Sequence, residues 1–128
     1  MRLLLDTQAF LWHALNDRRL SAKAGSLIAD PNNILEFSPA SYWEIAIKIS
    51  IGKYNLNQPF QDFMDQQIKD NDLRILPVQV HHVAALVNLP FHHKDPFDRL
   101  LVAQALVEQV PIVSNDSALD QYPITRMW

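Results

Sequence analysis

The sequence predicts an α/β fold in which a central, mainly parallel sheet is covered by helices on both faces, with residues 1–128 forming one domain. Three observations predict it. Short apolar runs bounded by turn residues alternate with longer stretches of helical periodicity; Ser, Asp or Pro introduces most of the helical stretches; and no repeat, linker or low-complexity tract interrupts the alternation.

Leu3-Leu4-Leu5 is an apolar run stopped by Asp6-Thr7, which reads as a buried strand followed by a helix from Ala9 to Leu15. Ser21 caps a helix running to Asp30, and Pro31-Asn32-Asn33 marks a turn before a strand from Ile34 to Phe37. Ser38-Pro39-Ala40-Ser41 starts the next helix, Tyr42 to Ile51, closed by Gly52 at the C′ position. Phe60, Phe63, Met64, Gln67 and Ile68 follow helical spacing, Leu73 to Leu76 reads as a strand, and Val80 to Val87 as a helix ending near Pro90. Asp95-Pro96 begins an apolar helix to Glu108; Pro111 to Ser114 is a strand, Asp116 to Asp120 a short helix, and Ile124 to Met127 a last strand.

With 48% hydrophobic and 20% charged residues, the chain buries a core without needing disulfides or a structural metal. The absence of cysteine excludes disulfides, thiolate metal sites and cysteine nucleophiles, and it fits a reducing cytoplasm. Met1 to Asp6 falls far short of a signal-peptide core, and no apolar run approaches the roughly 20 residues of a membrane span. A cytoplasmic, unprocessed protein without membrane contact is expected. A net charge of −3 and a pI near 5.9 argue against a module that coats DNA through a broad basic face.

Most of the 14 Asp and Glu residues should be solvated, but position separates four of them. Asp6 and Asp116 lie just beyond the carboxyl ends of apolar strands, the edge at which open parallel sheets place ligands. Glu44 and Asp98 lie early on helices with little polar face to spare. Each has a local alternative. Glu44 pairs naturally with Lys48 at i,i+4, Asp98 at N3 can serve a capping box behind Asp95, and Asp6 and Asp116 can each cap the helix that follows. Their conjunction would make a four-carboxylate pocket, in which at least one pKa is raised and a hard divalent cation is the natural remedy.

Taken together, Leu3-Leu4-Leu5-Asp6-Thr7, Ser41-Tyr42-Trp43-Glu44-Ile45-Ala46, Asp95-Pro96-Phe97-Asp98-Arg99-Leu100-Leu101-Val102-Ala103-Gln104-Ala105 and Ser114-Asn115-Asp116 resemble the successive motifs of VapC-type toxins in the PIN-domain family. The resemblance runs in order from residue 1 to the segment Tyr122-Pro123 to Trp128. It implies a PIN-like three-layer α/β/α fold and a Mg²⁺- or Mn²⁺-dependent endoribonuclease acting on RNA. It also implies a homodimer and an antitoxin partner that binds and silences the enzyme. Carried over, Asp6, Glu44, Asp98 and Asp116 are the catalytic and metal-holding acids, and Ser114 matches the small hydroxyl residue before the last acid, where the family often has Thr.

On this reading Asp6 and Asp98 are direct metal ligands, Asp116 is a direct or water-mediated one, and Glu44 is a ligand or orients the attacking water. One metal and two metals both remain open. Ser114, Arg99 and Lys94 are the candidate substrate contacts; Arg99, Lys94, His92 and His93 flank the Asp98 turn and could approach RNA phosphates, although paired histidines in a polar connection are more often solvated. His81-His82 lacks a further His and carboxylate at zinc spacing. Trp12, Trp43 and Phe97 could stack bases, with core packing as the commoner fate. The helix from Tyr42 to Ile51 is apolar around most of its circumference, which a dimer contact would explain.

Two other functional classes stand beside the nuclease. A Mg²⁺-binding phosphoacceptor receiver domain would need adjacent acids after its first strand and a late strand-end lysine; Asp6 stands alone and no lysine follows Lys94. A catalytically silent PIN scaffold would keep the fold without turnover.

Overall fold

Leu3, Leu4 and Leu5 place their side chains on alternate faces of a strand, and that alternation divides the interior in two. In a computed structural model that describes all residues 1–128, this strand, β1 (Arg2–Leu5), is the centre of the sheet. The remaining elements follow as α1 (Thr7–Ala14), α2 (Ala22–Ala29), β2 (Ile34–Phe37), α3 (Pro39–Ser50), α4 (Phe60–Asp70) and β3 (Arg74–Ile75). Then come α5 (Val80–Val87), α6 (Pro96–Glu108), β4 (Ile112–Val113), a 3₁₀ turn (Ser117–Gln121) and β5 (Arg126–Met127).

All pairings are parallel, and the strand order is 3-2-1-4-5. Leu3 and Leu5 join Phe10 of α1, Ile28 of α2, Ile45 of α3 and Phe63 of α4 in one core. Leu4 joins Ile112, Leu101, Val102 and Ala105 in the other, beneath α6. The three layers are those expected. The order also differs from the 2-1-3-4-5 sheet of receiver domains, which removes the fold support for that class.

Several boundaries move, each for a local reason. Asp6 itself caps α1, so the helix starts at Thr7 and not at Ala9. Ser38 caps α3 with Pro39 at N1, three residues ahead of Tyr42, and Gly52 closes it at φ 81°, a left-handed conformation that glycine adopts without strain. The strands β3, β4 and β5 shrink to two residues each, because only that much of each aligns with its neighbour. Asp116 caps the 3₁₀ turn from outside it.

This topology positions the site. Successive strands run outward from β1 through β2 to β3, and the chain then returns to the other side of β1 to lay down β4 and β5. The sheet order therefore reverses between β1 and β4, and the loops beyond their carboxyl ends diverge to leave a crevice.

Candidate active site

Asp6 follows the last residue of β1, and Asp116 lies three residues beyond β4. Because these strands are parallel neighbours, both carboxylates reach the same edge. Helices α3 and α6 bring Glu44 and Asp98 over that edge. The result is a cleft of about 440 Å³ lined by Asp6, Glu44, Asp95, Asp98 and Asp116, with Lys48 as its one basic side chain.

Three of these acids also have local partners, and one does not. The Asp6 Oδ1 atom accepts from Ala9 N–H at 2.7 Å and the Asp116 Oδ1 atom from Ala118 N–H at 3.0 Å, so both are caps as well as cleft residues. Lys48 Nζ is 3.0 Å from Glu44 Oε2, so the i,i+4 pair also forms. Asp98 is different: the capping bonds of α6 go to Asp95, whose Oδ1 accepts from Phe97 and Asp98 N–H. The Asp98 carboxylate is left facing the cleft.

Electrostatics follow from this crowding. Burial raises the Asp6 carboxyl to about 6, with the Asp116 and Glu44 charges adding to it, against hydrogen bonds from Ser114 and Ala9 N–H. Burial, then the charge of Asp95, raises Asp98 to about 7, with His93 opposing the rise and Glu44 and Asp6 adding to it. Glu44 is 5% exposed, and its Oε1 has no hydrogen-bond partner. A buried acceptor without a donor costs free energy unless something positive meets it. A hard divalent cation, which takes oxygen ligands, fits this set.

The structure also adds a residue and reassigns others. His93 Nε2 lies 2.7 Å from Asp116 Oδ2 and 3.4 Å from Asp98 Oδ2, so this histidine belongs to the site and is not solvated surface. Nothing local in His92-His93-Lys94 signals it; the segment is held in place by the Tyr122 phenol, which accepts from His93 N–H at 2.9 Å. Ser114 is fully buried, its Oγ accepting from Asp116 N–H at 3.0 Å, and so it shapes the site from beneath. Lys48, weighed only as a partner of Glu44, lines the cleft.

Arg99 does not reach the cleft. It is buried and donates to Pro90 O at 2.8 Å and Leu89 O at 3.1 Å, with its guanidinium over the Phe91 ring. Its expected role as a phosphate contact is replaced by one of holding the 89–91 segment. Arg99→Ala should lower unfolding free energy by about 2–4 kcal/mol, because charged hydrogen bonds and packing are lost together. An unchanged urea midpoint would refute that role. Lys94 is exposed on an apolar groove with Trp43, Phe91 and Phe97, outside the acidic cleft. Trp12 is buried against Trp128, while Trp43 is 61% exposed with its ring edge-on to Phe97.

A second His and carboxylate cluster forms at the other end of α6, where His81 and His82 meet Glu108. His82 Nδ1 accepts from Gln79 N–H, and Nε2 donates to Glu108 at 2.9 Å. Both nitrogens are therefore engaged by protein groups, and Arg2 holds the other Glu108 oxygen at 3.1 Å. This is an internal hydrogen-bond network.

Comparison with known proteins bears on the family and the fold. The PIN domain family profile matches residues 3–124. Among solved structures, the chain is similar to one in VapBC2 from Rickettsia felis bound to a promoter DNA fragment, with TM-score 0.76 and 17% identity over 100% of this chain and 99% of that one. It is also similar to a chain of VapBC-1 from nontypeable Haemophilus influenzae, with TM-score 0.65 and 16% identity over 99% and 97%. A chain of FitAcB from Neisseria gonorrhoeae gives TM-score 0.64 and 14% identity over 98% and 96%. No curated protein matches the chain in sequence.

Proposed function

Because this chain belongs to the PIN domain family, we propose that it is a VapC-type toxin, a metal-dependent endoribonuclease that hydrolyses RNA phosphodiesters and is silenced by a cognate antitoxin in the cytoplasm. The observation that carries the reading is the cleft itself: five carboxylates against one lysine, with a buried Glu44 oxygen that no protein donor meets.

Phosphodiester hydrolysis needs charge shielding, an activated water and a stabilised leaving oxygen, and Mg²⁺ or Mn²⁺ supplies these when bound. The residues divide by how free they are. Asp98, whose carboxylate makes no capping bond, would hold the cation directly, and Asp6, which meets Ala9 N–H and the Ser114 hydroxyl, would hold it beside Asp98. Asp116, with one oxygen on Ala118 N–H and the other on His93, would hold the cation directly or through water. Glu44, with Oε1 unpartnered, would hold the cation or orient the attacking water. Lys48, drawn into the cleft by Glu44, faces the incoming phosphate. No side-chain nucleophile is required.

RNA incubated with purified protein should be cut in Mg²⁺ or Mn²⁺ and left intact in excess chelator. Undiminished cleavage in chelator would overturn the metal mechanism, and no cleavage with either ion would leave a silent scaffold.

The partner reading rests on the surface beside the cleft. Ile45 is fully buried against the sheet and Ile47 is half-buried, so α3 does not present its whole circumference. The exposed apolar area gathers instead at Trp43, Phe91 and Val83, continuous with Phe97 and Leu86. A homodimer formed there would bring two clefts close together, and an antitoxin tail carrying arginine could enter the acidic pocket in place of the cation's charge. Trp43→Asp should shift the sedimenting species from dimer to monomer; a wild type that is already monomeric at high concentration would contradict this.

A further inference from the structure

The hydrogen bonds of His93 fix which of its ring nitrogens carries the proton. Its Nδ1 accepts from Asp95 N–H at 3.1 Å, and a ring nitrogen that accepts carries no proton. The proton of the neutral imidazole is therefore on Nε2, which points at Asp116 Oδ2 at 2.7 Å and lies 3.4 Å from Asp98 Oδ2. An Nε2–H in that position donates to the Asp116 carboxylate and cannot ligate a cation through the same atom. The backbone is fixed as well, since His93 N–H donates to the Tyr122 phenol, which in turn donates to Pro90 O at 2.8 Å.

We propose that His93 is a positioning residue of the nuclease site: it holds the Asp116 carboxylate by donating its Nε2–H, and it binds no metal itself. The inference rests on the metal-dependent reading of the cleft. Its physical content is that Asp116 is clamped on both sides, by Ala118 N–H on Oδ1 and His93 on Oδ2. A carboxylate fixed in this way presents one orientation to a metal-bound shell, and loss of such outer partners commonly costs about 10–100-fold in metal affinity.

The two ring nitrogens have separable roles, and two substitutions separate them. Asparagine places an acceptor near Nδ1, keeping the bond to Asp95 N–H but removing the distal donor. Glutamine places an amide N–H near Nε2, keeping the donor to Asp116. Mn²⁺ alone should be titrated calorimetrically into wild type, His93→Asn, His93→Gln and Asp98→Asn, with thermal unfolding of each in chelator. His93→Asn should weaken Mn²⁺ binding by about 10–100-fold, and His93→Gln should recover most of that loss. Equal affinity in wild type and His93→Asn would overturn the proposal, as would a loss in His93→Gln as large as in His93→Asn, which would indicate a ligand. A parallel fall in melting temperature and affinity in both variants would indicate a purely structural role and also overturn it. If Asp98→Asn loses Mn²⁺ binding while His93→Asn keeps it, the nuclease reading stands and only the role of His93 falls. If wild type binds no Mn²⁺, both fall.

Discussion

Asp98→Asn is expected to reduce RNA cleavage by at least about two orders of magnitude while leaving the fold intact, because a hard cation loses an anionic ligand. The structure makes this a clean substitution. The capping bonds of α6 are made by Asp95, so asparagine at 98 removes a charge without removing a cap. Asp6→Asn should act similarly, since an amide oxygen can still accept from Ala9 N–H. Wild-type rates from a folded Asp98→Asn protein would remove Asp98 from the site. Assay of cleavage alongside circular dichroism separates loss of chemistry from loss of fold.

The second large effect concerns the protein without metal. Asp6 and Asp98 have carboxyls raised to about 6 and about 7, so between the unfolded-state value near 4 and those values the folded chain holds more protons than the unfolded one. Stability therefore falls as pH rises from about 4 through about 7, and levels off above that. For Asp6 alone the destabilisation at neutral pH is about 3 kcal/mol, and the coupled charges make the whole effect larger but not additive. On the proposed mechanism, added Mg²⁺ or Mn²⁺ should bind the folded cluster and raise the melting temperature with concentration. In Asp98→Asn the chelated protein should be at least as stable as wild type at neutral pH, opposed only by the weaker interaction of N3 with the helix dipole, about 0.3–1 kcal/mol. Its gain from metal should shrink. If both proteins show the same metal-induced shift, Asp98 is not a ligand.

The fold was readable because its signals are local. Leu3-Leu4-Leu5 followed by Asp6, Ser38-Pro39 before an apolar helix, and Asp95-Pro96 before another each state their own structure through patterning and capping. The acids were readable for a related reason: a carboxylate at a strand end or on an apolar helix stands out against its neighbours.

His93 was not readable, because its place depends on Tyr122, 29 residues away, and on Asp116 meeting it across the cleft. Arg99 shows the complementary case. It follows Asp98 in sequence and so invites a phosphate, but on a helix the next residue points about 100° away, and here it points into the 89–91 segment. Glu44 shows that two readings can hold together, since one oxygen pairs with Lys48 and the other is left without a partner.

Anomalous diffraction from crystals soaked in Mn²⁺ tests the central claim most directly. A peak in the cleft, within about 2.0–2.4 Å of carboxylate oxygens from Asp98 and Asp6 and bonded to no atom of His93, is the predicted result. Absence of a peak there in the presence of millimolar Mn²⁺, or a sole peak at His81, His82 and Glu108, would contradict it.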